Sequence, residues 1–223
     1  WQASGTRQDE ANRTRRGERP SDRGRRPRVT TRDGDLWIER PGREAERLTT
    51  DAEPESTWRR NVVFSPDGRF FLARRVDAPQ DHPVHLLEVM PEDRVEPILQ
   101  THQYLKPGDR IARPHLAVFE IATGRRIDLD PGLAPNPWSI NQISWHPDEA
   151  RVRMLYNQRG HQVLRLLEID AISGESRVLI DETSDTFIDY AGKRFLHIMG
   201  DGDQAIWMTE RSGWNHLELV DLG

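Results

Sequence analysis

FSPDGRFFLARR (64–75) and WHPDEARVRMLYN (145–157) are the stretches that decide how this chain reads. Each starts with an aromatic residue, steps two positions to Pro-Asp, and runs on into an apolar segment. Proline, aspartate and glycine in such a cluster are turn chemistry, because proline presets φ and aspartate bonds back to nearby amides. Each stretch therefore predicts a strand, a turn and a second strand. A second repeated element follows at IATGRR (121–126), AISGES (171–176) and the terminal VDLG (220–223), where an apolar or acidic strand end meets a small residue and a glycine.

The order "aromatic-x-Pro-Asp, strand, strand, x-Gly turn, strand" is the outline of a four-stranded propeller blade, recurring every ~40 to 60 residues. The segments between the repeats agree with it. GDLWIER (34–40) alternates with period two after a hairpin-type Asp33-Gly34 pair. HLLEVM (85–90) reads as a strand. HLAVFEIATGRRIDLD (115–130) and HQVLRLLEIDAISGESRVLIDE (161–182) read as hairpins turning at Thr123-Gly124 and Ser173-Gly174. KRFLHIMGDGDQAIWMTER (193–211) turns around Asp201-Gly202, and SGWN separates it from a last strand, HLELVDL. No segment has a long helical period, and Pro91 and Pro97 oppose one around PEDRVEP. The expected fold is all-β. From Val29 to Gly223 there is room for about four blades of four-stranded antiparallel sheets, part of a propeller that closes with more. A β-sandwich is the other all-β arrangement. The recurring Pro-Asp turns favour the propeller.

Composition divides the chain. Residues 1–28 hold nine arginines and four acids, a net +5, whereas the whole chain is −5, which leaves −10 on residues 29–223. After Trp1 the first 28 residues have almost no apolar side chain to offset the entropy of ordering, so they read as a disordered Arg-rich tail or linker. Interleaved acids and missing aromatics argue against a nucleic-acid arm, so no nucleic-acid partner is expected. The absence of cysteine excludes disulfides, zinc–thiolate sites and a Cys nucleophile. No apolar run approaches the ~18 residues of a membrane span, and no signal peptide is visible.

Motifs of catalysis are scarce. GxSxG, HExxH, the P-loop and the kinase set are all missing. Gly200-Asp201-Gly202 joins two strands and opens no helix, so it reads as a hairpin turn rather than a nucleotide loop. His82 and His85 have metal-ligand spacing, but no third ligand is evident and Pro83 lies between them. Asp201 and Asp203 lack the rest of a calcium loop. Trp145, Trp207 and Trp214 are expected to fill gaps between blades. No cofactor, metal or catalytic residue is assigned.

YLKPGD (104–109), PNPWSINQISWHPD (135–148), YNQRGHQVLRLLEIDAISGESRVLIDE (156–182) and WMTERSGWNHLELVD (207–221) closely resemble the N-terminal β-propeller of dipeptidyl peptidase IV-like proteins, in the prolyl oligopeptidase family of serine peptidases. The resemblance covers about residues 45–223, and GWNHL and YNQRGHQ are its most specific stretches. It implies an eight-bladed propeller capping a C-terminal α/β-hydrolase domain, with a Ser, Asp, His triad in that domain beyond Gly223. It implies peptide substrates cut from the N-terminus, a homodimer of the parent, and a periplasmic or secreted location. In dipeptidyl peptidase IV, paired glutamates on a short helix bind the substrate amine. DAEPESTW (51–58) stands at that place, with Glu53 and Glu55 split by Pro54, which disfavours a helix and a shared face. The motif is not carried over, and both glutamates read as a solvated loop.

The expected function is a non-catalytic, substrate-gating propeller of a serine exopeptidase. The alternative is a stand-alone or pseudo-enzyme propeller that binds protein or peptide.

Overall fold

The computed structural model describes residues 27–192 and 194–223. Most of the expected Arg-rich tail lies outside the described residues. Its last residue, Arg28, opens the first strand.

The described residues form strands and turns, with no helix. The first sheet joins β1 (Arg28–Arg32), β2 (Asp35–Glu39) and β3 (Glu46–Arg47) in that order. The second holds β4 (Ser56–Trp58), β5 (Val63–Phe64) and β6 (Phe70–Asp77), then, after an excursion, β9 (Arg113–Glu120) and β10 (Arg126–Asp128). Its order is β10-β9-β6-β4, with β5 also on β6. The excursion is a separate hairpin, β7 (Pro83–Glu88) with β8 (Ile98–Gln103). The third sheet runs β11 (Pro137–Trp145), β12 (Arg151–Gln158), β13 (Val163–Asp170), β14 (Ser176–Thr183). The fourth is β15 (Leu196–Ile198), β16 (Gln204–Thr209) and β17 (His216–Asp221). All pairings are antiparallel. Four open sheets in chain order are a run of propeller blades, as the repeats predict. Strand number varies from three to five rather than holding at four.

The continuous apolar runs have a physical cause. A strand covered on both faces cannot alternate apolar with polar. In β6, Phe70 and Leu72 pack toward the third sheet, while Phe71 and Ala73 pack toward the first. In β9, Leu116 and Val118 face one way, and Ala117 and Phe119 the other. In β12, Val152, Met154 and Tyr156 face the second sheet, and Leu155 joins a third cluster with Ala205, Trp207 and Leu222. Each core thus lies between sheets. Phe70 stacks on Trp145 at 6.4 Å across the second and third sheets, and Phe71 stacks on its ladder partner Phe119 at 5.2 Å within the second.

The turns are built alike. In the first, the Ser65 amide donates to Phe70 O at 2.9 Å and the Gly68 amide to Ser65 O at 3.0 Å. Asp67 accepts from the Arg69 amide at 3.0 Å. In the second, the His146 amide donates to Arg151 O at 2.8 Å, and His146 Nδ1 accepts the amides of Asp148 and Glu149 at 3.2 and 3.1 Å. In MGDGDQ (199–204) the Met199 amide donates to Gln204 O at 2.8 Å, the Gly202 amide to Met199 O at 2.9 Å, and Asp201 accepts from the Asp203 amide at 3.1 Å. These three bonds repeat their counterparts in the Ser65 turn, with glycine in place of proline. Gly200-Asp201-Gly202 is therefore the third copy of the blade turn. Gly68 and Gly202 both have positive φ, 70° and 87°.

Candidate functional site

A cleft opens between the second and third sheets where β6 ends, β9 begins and β11 begins. It has two joined hollows. The larger, about 380 Å³, has an apolar wall that includes Leu116, Leu129, Ala134, Pro135, Pro137 and Ile140. The smaller, about 220 Å³, is lined by Asp77, Arg110, Ile111, Arg113, Asn136 and Arg159. Arg113 and Asn136 belong to both.

The local sequence sets this shape. Asn136 stands between two prolines and takes φ of 48°, a left-handed conformation that asparagine tolerates. The buried Tyr156 ring lies beneath, and its hydroxyl donates to Pro135 O. The Arg159 amide donates to Asn136 O at 2.9 Å, which ties the β12–β13 turn to the same loop. Burial pushes the Tyr156 phenol up to about 12, so it stays a donor at neutral pH.

The charges of the cleft fall into satisfied and unsatisfied groups. Asp51 accepts from Arg126 at 2.7 Å, Trp58 Nε1 at 2.8 Å and Arg75 at 3.0 Å. Burial raises its pKa, but Arg126, Trp58 and Arg75 together hold it below the usual carboxylate value. Asp77 accepts from Ser56 at 2.5 Å and from His115 Nε2 at 2.8 Å. Burial raises it too, and these partners bring it below the usual value. The guanidiniums are less fully matched. Arg159 donates to the Asp109 carbonyl at 2.6 Å and reaches no carboxylate among the described residues. Arg113 lies across the ladder from Asp77, yet makes no hydrogen bond or ion pair among the described residues. Arg75 Nε is buried without a partner. The rim therefore offers guanidinium donors beyond those its own carboxylates engage, and such donors suit a planar oxyanion.

The residues singled out from sequence fall elsewhere or at the rim. Glu53 and Ser56 close a tight turn by mutual amide–carbonyl bonds of 2.9 Å, so no helix forms. Both glutamates are exposed, and Glu55 reaches Arg110 at 3.2 Å on the rim of the smaller hollow. His85 contacts Thr101 across the β7–β8 hairpin at 3.0 Å, and His82 lies 3.6 Å from Asp109. They do not converge. No group of three His, Cys, Asp or Glu able to hold a metal occurs among the described residues. Asp201 and Asp203 serve the turn described above. Trp207 is fully buried between the third and fourth sheets, and Trp145 donates from Nε1 to Val63 O at 2.9 Å across the second and third. Trp214 departs from expectation. It sits at the β16–β17 turn with 82% of its surface exposed, because SGWN projects beyond the paired strands.

Arg113, Asn136 and Arg159 were not singled out as site residues from the sequence. They come from three separate connections. The available signals were the prolines beside Arg113 and Asn136, and the place of Arg159 in YNQRGHQ.

Serial antiparallel sheets with cores between them define the chain as β-propeller blades. Its sequence from 29 to 223 matches the family model described as the dipeptidyl peptidase IV N-terminal region, and the chain belongs to that family. The fold is similar to that of a Bacteroides ovatus protein assigned as a dipeptidyl aminopeptidase IV, with TM-score 0.57 and 20% identity over 87% of this chain and 28% of that one. It is also similar to Porphyromonas gingivalis dipeptidyl peptidase 4, with TM-score 0.59 and 16% identity over 86% of this chain and 29% of that one. The chain thus spans less than a third of the length of either structure. No helix among the described residues is long and apolar enough to cross a membrane.

Proposed function

We propose that this chain is the substrate-gating propeller of a serine exopeptidase of dipeptidyl peptidase type, and that it holds no catalytic group itself. The supporting observation is the family match over 29–223 together with the small share of each similar peptidase that the chain covers. An α/β-hydrolase domain of the same parent chain would carry the triad. The blades would act sterically. Rigid sheets, with cores between them, form a wall that admits short or unfolded peptides and excludes folded proteins. The −10 charge on residues 29–223 adds a weak, salt-screened preference for peptides with a free amine.

The test is hydrolysis by the full parent chain. A panel of dipeptide-chromogenic substrates would be compared with the same compounds blocked at the N-terminus, and with a folded protein carrying the same N-terminal residues. Cleavage confined to short, free-amine substrates supports the gate. Absence of hydrolysis by a folded parent chain, with peptide still bound, replaces it with the binding-module reading.

A further inference from the structure

We propose that the joined hollows between the second and third sheets bind the C-terminal carboxylate of a short peptide. Arg113 and Arg159 hold the carboxylate, and the proline-lined hollow takes the adjacent apolar side chain. The choice of a peptide rests on the function proposed above.

Three observations carry the inference. First, Arg113 and Arg159 line one hollow of about 220 Å³, and neither meets a carboxylate among the described residues. A carboxylate is the planar partner that a guanidinium binds through two parallel hydrogen bonds. Asp77 lines the same hollow with its negative charge, which favours a monoanion over a phosphate dianion. Second, the apolar hollow of about 380 Å³ adjoins this one through Arg113 and Asn136. A peptide α-carboxylate has its own side chain one carbon away, so anion and apolar group arrive together. Third, a donor lies where the peptide backbone would run. The exposed Asn136 side chain, shared by both hollows, has no partner among the described residues, and its amide can donate to a peptide carbonyl. Tyr156 and the Arg159 amide fix the Pro135–Asn136–Pro137 loop, so the site is preformed.

Isothermal titration of this chain tests the assignment. The ligands are N-acetyl-Ala-Pro-Leu with a free carboxylate, the same peptide as its C-terminal amide, and sodium acetate. The expected result is saturable binding of the free acid, with the amide and acetate each weaker by about tenfold or more. Arg113→Gln is expected to weaken the free acid by about tenfold with an unchanged circular-dichroism melt, because Arg113 supports no other group. Arg159→Gln should do the same, and if its loop loosens, Arg113→Gln alone decides. Equal binding of acid and amide overturns the proposal, as does unaltered binding by Arg113→Gln or no binding at all. Acetate binding as tightly as the peptide reduces the cleft to a simple anion site and overturns the peptide assignment. These titrations read binding by this chain, whereas the peptidase assay reads hydrolysis by the parent, so either can fail alone.

Discussion

Arg153 Nε donates to Glu168 Oε2 at 2.7 Å, directly across the β12–β13 ladder, and both side chains are sealed from solvent. The same arginine also donates to Gly202 O, and Arg177 reaches the other Glu168 oxygen at 2.8 Å. The pair therefore bonds the third sheet to the turn of the fourth. Taking two charges out of water is costly, and removing one partner strands the other. Glu168→Ala should lower unfolding free energy by about 3–5 kcal/mol. The double variant Arg153→Met, Glu168→Leu should recover most of that loss. Urea unfolding of the two variants checks both numbers.

The equivalence of the three blade turns is open to exchange experiments. His146→Ala removes the acceptor for two amides and should cost about 1–2 kcal/mol. His146→Ser should cost less, because Ser65 serves the first turn with its hydroxyl, which accepts from the Phe70 amide at 3.0 Å. Gly202→Ala should be worse than either, since φ is +87° and a Cβ would stand 2.5 Å from the His146 ring. Thermal melts of the three variants give the ranking.

Acid should destabilise the first sheet through Asp35. Its buried carboxylate accepts from Thr49 Oγ1 at 2.8 Å, Arg47 at 2.6 Å and the Ala52 amide at 3.1 Å. Burial raises its pKa, and these partners bring it net below the ordinary 3.8. A depressed acid stabilises the fold fully above its unfolded pKa, and that contribution is lost as pH falls through the lower folded value. Stability should therefore drop as pH is taken below about 3.8. Asp35→Asn should be less stable at neutral pH and show a shallower acid slope. Chemical denaturation between pH 2.5 and 7 measures it.

His161 lies on an aromatic cluster, stacked on Tyr190 at 4.0 Å and edge-on to Trp138 at 5.3 Å and Phe187 at 5.6 Å. Desolvation among these rings lowers its pKa from 6.5. In an NMR titration its ring should change charge below pH 6.5, while Tyr156 keeps its proton until about 12. His161→Ala should remove that low transition and leave the Tyr156 titration in place.

The fold was legible wherever chemistry was local. Pro66-Asp67 and Pro147-Asp148 announced two turns because proline and aspartate shape backbone over a few residues. The third copy, at Met199–Gln204, escaped that pattern because glycine stands where proline stood, and only Asp201 and Gly202 kept the spacing. The β7 strand was legible, but its partner β8 was not, since ILQTHQ (98–103) alternates weakly. Trp207 and Trp214 look alike in sequence, and only register separates a ring within a paired strand from one on a turn. Arg153 and Glu168 become partners only once the β12–β13 hairpin is aligned. The cleft was least legible of all. Arg113, Asn136 and Arg159 meet because neighbouring sheets bring distant connections together, and nothing local in the chain encodes that meeting.

Phe70 and Phe71, adjacent in the chain, belong to different cores. Each interior sheet is thus the inner wall of two rooms at once. Damage to one wall opens both rooms, whereas damage to the first or fourth sheet opens one of those described. Stability in such a row is a sum over neighbouring walls, with no single centre whose loss ends everything at once. Hydrogen exchange should follow the same floor plan, slowest in β6, β9 and β12 and fastest in the exposed β7–β8 hairpin.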